Sequence, residues 1–168
     1  CIRDRILLPK TEFSMKANLP EKEPKILDKW YKDNLYGKLR ESSKDKEKFI
    51  LHDGPPYANG HLHMGHALNK ILKDVIIKYQ QISNKNSIYV PGWDCHGLPI
   101  EWKIEEQYRK KKLNKDDVPV LEFRKQCRDF AQEWIEVQRK EFKRLGVIGD
   151  WDNPCLLYTS DAADEVDR

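Results

Sequence analysis

Pro56-Tyr57-Ala58-Asn59-Gly60-His61-Leu62-His63-Met64-Gly65-His66 is the stretch whose local chemistry decides how the chain folds. Just before it, Lys48-Phe49-Ile50-Leu51 has the apolar, β-prone character of a short buried strand. Just after it, Ala67 to Tyr79 carries apolar residues at helical spacing. Asn59-Gly60 is turn chemistry, because glycine takes positive φ without a Cβ clash and asparagine tolerates it. The pattern predicts strand, tight loop and helix, with His63 and His66 at the opening of the helix. A helix N-terminus offers unpaired backbone N–H groups and partial positive charge, which suits a phosphate. Two imidazoles three residues apart share a helix face and can both donate to phosphate oxygens. Gly65 between them leaves bare backbone for a base or ribose. Together these features point to a nucleotide site.

Leu51-His52-Asp53-Gly54-Pro55-Pro56 leaves the strand and turns into the loop. Two prolines fix φ twice, and Gly54 lets a ligand approach the backbone. A loop preformed in this way loses little entropy on binding. His52 and Asp53 read either as ligands or as ordinary loop residues. In the helix, Met64, Leu68, Ile71, Leu72, Val75, Ile76 and Tyr79 recur at steps of three and four, so this face is expected to be core. Lys70, Lys73, Asp74 and Lys78 fall mostly off that stripe and are expected to be solvated. Ser87 to Val90 has the length and β-branching of a second strand. Strand, helix and strand make a βαβ unit with a right-handed crossover. Ligands of such sheets sit beyond the carboxyl ends of the strands, where the loops after Leu51 and after Val90 both fall.

The second loop, Pro91-Gly92-Trp93-Asp94-Cys95-His96-Gly97-Leu98-Pro99-Ile100-Glu101, is poor helix or strand material. Asp94 either receives a cation, such as an amino-acid ammonium group, or caps the turn through its own backbone. Cys95 and His96 are adjacent, and neighbouring side chains of extended backbone point apart, against a nucleophile–base pair. All five histidines lie between residues 52 and 96. His61, His63 and His66 with Asp53, Asp94 and His96 are also candidate ligands of a dinuclear hydrolase centre. No acidic residue follows the histidines at metal-binding spacing.

The remainder is less informative. The first sixty residues approach the site: a proline-punctuated extended segment, then a helix from about Pro20 with Glu21 and Glu23 in its first turn. Ile26, Leu27, Trp30 and Tyr31 are its expected buried stripe, and Ser42 to Lys48 is a polar loop. Glu101 to Leu113 is a charged helix ending in Arg109-Lys110-Lys111-Lys112, a solvated run or a contact for RNA backbone. A long helix follows, with Phe123, Cys127, Phe130, Ala131, Trp134, Ile135, Phe142 and Leu145 as its expected inner stripe and Gly146 as its stop. No internal repeat is present. With 35% charged residues and a mean hydropathy of −0.83, nothing approaches the roughly 18 apolar residues of a membrane span. Four scattered cysteines without a Cys-x-x-Cys pair point to a reducing compartment, so a cytoplasmic location is expected. The net charge of +3 is too mild to name a nucleic-acid partner. From Cys155 onward the chain resembles a translated sequencing adaptor, which would make residues 155–168 a non-native tail on a basic fragment. The expected organisation is an arm and helix over 1–47, the first part of a catalytic domain over 48–154, and that tail.

His63-Met64-Gly65-His66 matches the HIGH signature of class I aminoacyl-tRNA synthetases. Two longer runs, His52 to Gly60 and Gly92 to Glu101, are more specific and resemble the isoleucyl enzymes of bacterial type. The valyl and leucyl relatives differ in the second run. Leu7 to Thr11 and Ala17 to Pro20 resemble that group's N-terminal arm, although Ser14 stands where proline is frequent. The resemblance covers about residues 5–154. It implies an α/β fold: the first, truncated half of a Rossmann-like nucleotide-binding domain with additional helices. It implies activation of isoleucine by ATP and transfer to tRNA(Ile), with Mg²⁺ accompanying ATP. His63 and His66 would be catalytic and hold ATP, Gly65 would accommodate adenosine, Gly54 and Pro55 would line the isoleucine pocket, and Asp94 would bind the ammonium group. The KMSKS loop, the editing domain and the anticodon-binding parts would lie outside this piece, which would be inactive alone. The whole protein would be a monomer without membrane attachment; zinc is common in relatives, but no ligands are identified here. A smaller nucleotidyltransferase of the His-x-Gly-His type and the metal-dependent hydrolase are the alternatives. A non-catalytic RNA-binding module would require a natural end near Arg168.

Overall fold

The computed structural model describes residues 11–12 and 16–158 of the chain. In order these form α1 (Leu19–Lys32), α2 (Leu35–Ser42), β1 (Lys48–Ile50), α3 (Met64–Ile82), β2 (Asn86–Ile88), β3 (Gly92–Asp94), α4 (Leu98–Lys110), α5 (Val120–Arg144) and β4 (Cys155–Leu157). The expected βαβ unit is present. β1 and β2 run parallel, with Lys48, Phe49 and Ile50 opposite Asn86, Ser87 and Ile88, and α3 makes the crossover. Parallel pairing forces a long connection, and 19 residues of helix supply it. Both loops after β1 and β2 therefore open at the same edge.

Gly92–Asp94, expected to be irregular, is a strand. It pairs in parallel with Cys155–Leu157, so three residues at the head of the suspected tail are built into a ladder. Main-chain bonds rather than residue preference decide this. Cys155 N–H donates to Pro91 O at 2.9 Å and Cys95 N–H donates to Leu157 O at 2.8 Å. Residues 159–168 and the Leu7-Leu8-Pro9 arm lie outside the described residues.

The core lies between α5 and the strands: Ala58, Ile77, Tyr89, Trp93, Ile100, Ala131, Ile135, Phe142 and Trp151 are buried together. Phe142 stacks on Trp151 and Trp93 tilts against it, with ring centroids 6.0 and 6.1 Å apart. α5 ends where expected, since Gly146 takes φ +79, a left-handed conformation that glycine adopts without strain. Its inner face is Ala131, Ile135, Gln138 and Phe142, while Leu145 is exposed. The stripe expected on α1 is only half covered: Leu27 and Trp30 lie against the 146–152 segment, while Ile26 and Tyr31 are exposed.

The largest correction concerns α3. Its expected core stripe faces outward, with Met64 83%, Leu72 55% and Tyr79 65% exposed. Its expected solvated face is the inner one, with Lys70 at 2% exposure and Asp74 and Ile77 also buried. The reason is partner supply. Lys70 pairs with Asp53 and bonds Tyr89 OH at 2.7 Å, and Lys73 reaches Asp53 at 2.7 Å. Asp74 takes Lys78 at 2.5 Å and the Ile148 N–H at 2.9 Å. Buried charges persist only when paired and hydrogen-bonded, and each of these is. Burial draws the Asp53 carboxyl upward, but the bonds from Lys70 and Lys73 outweigh it and hold the group below its ordinary value. Removing one member strands the other: Lys70→Met is expected to cost about 3–5 kcal/mol in urea unfolding. Lys25→Met on the exposed face of α1 should stay within about 0.5 kcal/mol.

Candidate active site at the carboxyl edge of the strands

α3 opens on His63, which takes extended backbone angles (φ −114, ψ 174) and caps the helix with its ring. Gly65 N–H donates to His63 Nδ1 at 3.0 Å, and His63 N–H donates to His66 Nδ1 at 3.4 Å. The two rings stack with centroids 3.8 Å apart and planes 24° apart. A ring nitrogen that accepts an N–H carries no proton, so the proton of each ring is on Nε2. Both imidazoles therefore present an outward N–H donor beside the helix N-terminus. Gly65 is exposed between the two rings. A Cβ there would lie 2.9 Å from His63 Cε1, so glycine at this position makes room for the capping ring.

The His66 pKa is lowered, first by burial and then by the neighbouring His63 and by the Lys70 ammonium one turn along α3.

Two main-chain hydrogen bonds, which together make one parallel bridge, bring the two loops together. Asp94 N–H donates to Pro56 O at 2.9 Å, Ala58 N–H donates to Asp94 O at 3.0 Å, and Tyr57 and Asp94 form a parallel bridge. Gly92 lies between Cys155 and Pro55, and a Cβ there would lie 3.3 Å from Cys155 O and 3.4 Å from Pro55 Cβ. Gly54 has open space on its side-chain face, with nothing within 4 Å of where a Cβ would sit. The half-buried Asp94 carboxylate caps its turn by accepting the His96 N–H at 3.3 Å through Oδ1, and His96 Nε2 stands 3.4 Å from the same oxygen. Oδ2 has no hydrogen-bond partner among the described residues. The turn through Gly54, Pro55 and Pro56 thus meets the strand that ends in Asp94, and His63, Gly65 and His66 stand at the start of α3. A wide groove beside the first cluster is lined by His52, Pro55, Val90 and Gly92.

The hydrolase alternative does not assemble. Asp53 is engaged by Lys70 and Lys73, His61 by Glu141 at 2.6 Å, and His63 and His66 by each other. Among the described residues no three His, Cys, Asp or Glu side chains converge as metal ligands. Cys95 is a buried thiol pushed up to about 11 by burial and then by Asp94, which makes it a poor nucleophile. Arg109 and Lys110 pair along α4 with Glu105 and Glu106 at 2.5 and 3.1 Å.

Sequence reading missed the residues that hold the loop from behind. Gln138 of α5 bonds Trp93, Tyr57 and Gly60, and Glu141 bonds His61 and the Leu62 N–H. The one available signal was a glutamine on the inner stripe of α5, spaced with Ala131, Ile135 and Phe142.

A parallel βαβ unit with an imidazole pair at the helix opening and an acidic second loop defines a class. The family profile for class I tRNA synthetases (I, L, M and V) matches residues 25–167, and the chain belongs to that family. Among curated relatives it is 64% identical over 166 residues to the isoleucine–tRNA ligase of Pelagibacter ubique, covering 99% of this chain and 18% of that protein. It is 62% identical over 161 residues to the isoleucine–tRNA ligase of Zymomonas mobilis, covering 95% of this chain and 17% of that one. The chain thus spans less than a fifth of the relatives it matches. Among solved structures, an Agrobacterium radiobacter LeuRS in ternary complex with tRNA and LeuAMS shares the fold. Its TM-score is 0.62 at 22% identity, over 84% of this chain and 16% of that one. The shared fold is the first part of a Rossmann-like nucleotide-binding domain. No helix among the described residues is long and apolar enough to cross a membrane.

The lowered pKa of His66 has a pH signature. A folded value below that of the unfolded chain stabilises the fold above pH about 6.5. That contribution is lost as pH falls through the folded value. A proton NMR titration of the histidine Cε1–H signals is expected to show His66 titrating below 6.5, its ordinary value, and Lys70→Met should shift it upward.

Proposed function

We propose that the whole protein containing this stretch is an isoleucine–tRNA ligase. It joins isoleucine to ATP as an enzyme-bound isoleucyl-adenylate and then transfers the aminoacyl group to tRNA(Ile). In the first step a carboxylate oxygen of isoleucine attacks the α-phosphorus and pyrophosphate leaves. In the second a ribose hydroxyl of the tRNA attacks the acyl carbon and AMP leaves. The observation that carries this reading is the main-chain union of Asp94 with Pro56 and Ala58, which joins an acidic loop to the loop feeding the imidazole pair. High identity to isoleucine–tRNA ligases supports the choice of amino acid.

In this reading the Nε2–H groups of His63 and His66 donate to ATP phosphate oxygens as negative charge builds during displacement. Gly65 lies along the adenosine. The open face of Gly54, with Pro55, walls the isoleucine side chain, and the Asp94 carboxylate holds its ammonium group. Displacement at phosphorus asks little covalent help of a protein, so positioning and charge stabilisation carry the catalysis, and Mg²⁺ arrives with ATP as part of the substrate. Discrimination against valine rests on one methylene, a weak distinction for which the isoleucyl enzyme is itself the reference case. A cytoplasmic, monomeric protein belongs to the same reading.

In the full-length ligase, His66→Ala is expected to slow isoleucine-dependent ATP–pyrophosphate exchange by about two to three powers of ten with little change in the KM for isoleucine. Unaltered exchange would remove His66 from the mechanism. Asp94→Ala should raise the KM for isoleucine by about tenfold or more, the loss of a charged hydrogen bond, and leave that for ATP within about threefold. An equal rise for ATP alone would contradict the assignment. The 168-residue chain by itself is expected to show no exchange.

A further inference from the structure

We infer that Gln138 is a positioning residue for this reaction, locking the loop that leads into His63 to the strand that carries Asp94; the inference rests on the function proposed above. Gln138 is 0% exposed on the inner face of α5, where its neighbours Ala131, Ile135 and Phe142 are apolar. A leucine would fill such a place without the cost of burying an amide. The amide instead makes three of the four hydrogen bonds open to it. Its oxygen accepts the Trp93 indole N–H at 2.9 Å, and its nitrogen donates to Tyr57 O at 3.0 Å and to Gly60 O at 2.7 Å. An indole nitrogen only donates and carbonyls only accept, so these partners admit one orientation of the amide.

The partners matter by position. Tyr57 and Gly60 are the two ends of the turn that leads toward His63. Trp93 immediately precedes Asp94, whose own main chain is bonded to Pro56 and Ala58. One turn further along α5, Glu141 accepts the Leu62 N–H at 3.0 Å and stands 2.6 Å from His61 Nδ1. The His61 ring is set edge-on against Trp134 of the same helix, with centroids 5.0 Å apart. α5 therefore grips the loop from Tyr57 to Leu62, up to the residue before the helix cap. Neither Gln138 nor Glu141 belongs to the groups assigned to substrate. They act by fixing the relative placement of those groups.

The test is isoleucine-dependent ATP–pyrophosphate exchange by the full-length ligase carrying Gln138→Glu or Glu141→Ala, with thermal unfolding followed alongside. Gln138→Glu keeps the shape and the acceptor for Trp93 but sets a carboxylate oxygen, without a donor, against two carbonyls. Folded Gln138→Glu is expected to lose about ten- to a hundredfold in kcat, with the KM values for isoleucine and ATP within about threefold, the mark of misplaced reacting groups. Glu141→Ala, at a partly exposed carboxylate, should lose about three- to tenfold in the same manner. A lowered unfolding temperature with wild-type kcat in Gln138→Glu would overturn the inference and leave the residue a purely structural one. If Gln138→Glu does not fold, Gln138→Met, which keeps the volume and loses all three bonds, takes its place, and wild-type kcat there overturns the inference. A His66→Ala control separates the two levels. Full activity there sinks the parent reading and this inference with it, whereas loss there beside an unimpaired Gln138→Glu sinks the positioning role alone.

Discussion

Asp53, Lys70 and Lys73, with the Tyr89 hydroxyl, form a buried ionic knot between the loop after β1 and the inner face of α3. Two ammonium groups converge on one carboxylate, and each of its oxygens has a partner. The knot binds the chain on either side of the turn that holds the glycine, the prolines and the imidazoles. Asp53 precedes Gly54 directly, and Lys70 lies one turn beyond His66. The distance between the amino-acid end and the phosphate end of the proposed site therefore depends on charges that are largely shielded from water. Poor solvation makes such a knot a weak source of net stability but a strong constraint on geometry, because every displaced partner leaves a buried charge exposed to nothing.

Chain order and turn chemistry made much of the architecture legible. The β1–α3–β2 crossover, the position of His63 at the helix start and the stop at Gly146 all followed from local rules about glycine, proline and helical spacing. Burial was harder to read. Periodicity in α3 identified an apolar face, but the expectation that this face is the covered one is reversed among the described residues. The inner face was chosen by partners far away in sequence, Asp53 and the Ile148 N–H, which no window along the helix contains. Gly92–Asp94 escaped for a similar reason. Its pairing with Cys155–Leu157 spans some sixty residues, and a stretch rich in glycine and proline carries no strand preference of its own.

Within the site, residue types were easier to single out than their partnerships. The loops that carry Gly54, Pro55 and Asp94 meet through the Pro56–Asp94 main-chain bond, as loops opening at one strand edge allow. Asp53 and His61, open to metal or loop readings in the sequence, have fixed structural partners. Gln138 illustrates the opposite difficulty. A glutamine on a helix is ordinarily a solvated residue, and only the convergence of Tyr57, Gly60 and Trp93 on its amide gives it a task.

In the proposed reaction the capping arrangement at the opening of α3 would also bear on turnover. Each imidazole gives its Nδ1 to the backbone and so faces outward as a neutral donor rather than as a cation. Neutral donors strengthen with the charge that builds during phosphoryl displacement, yet they lack the long reach of a formal positive charge. In the proposed reaction such donors would favour the pyrophosphate as it forms, a balance that a lysine at the same place would tilt toward retention.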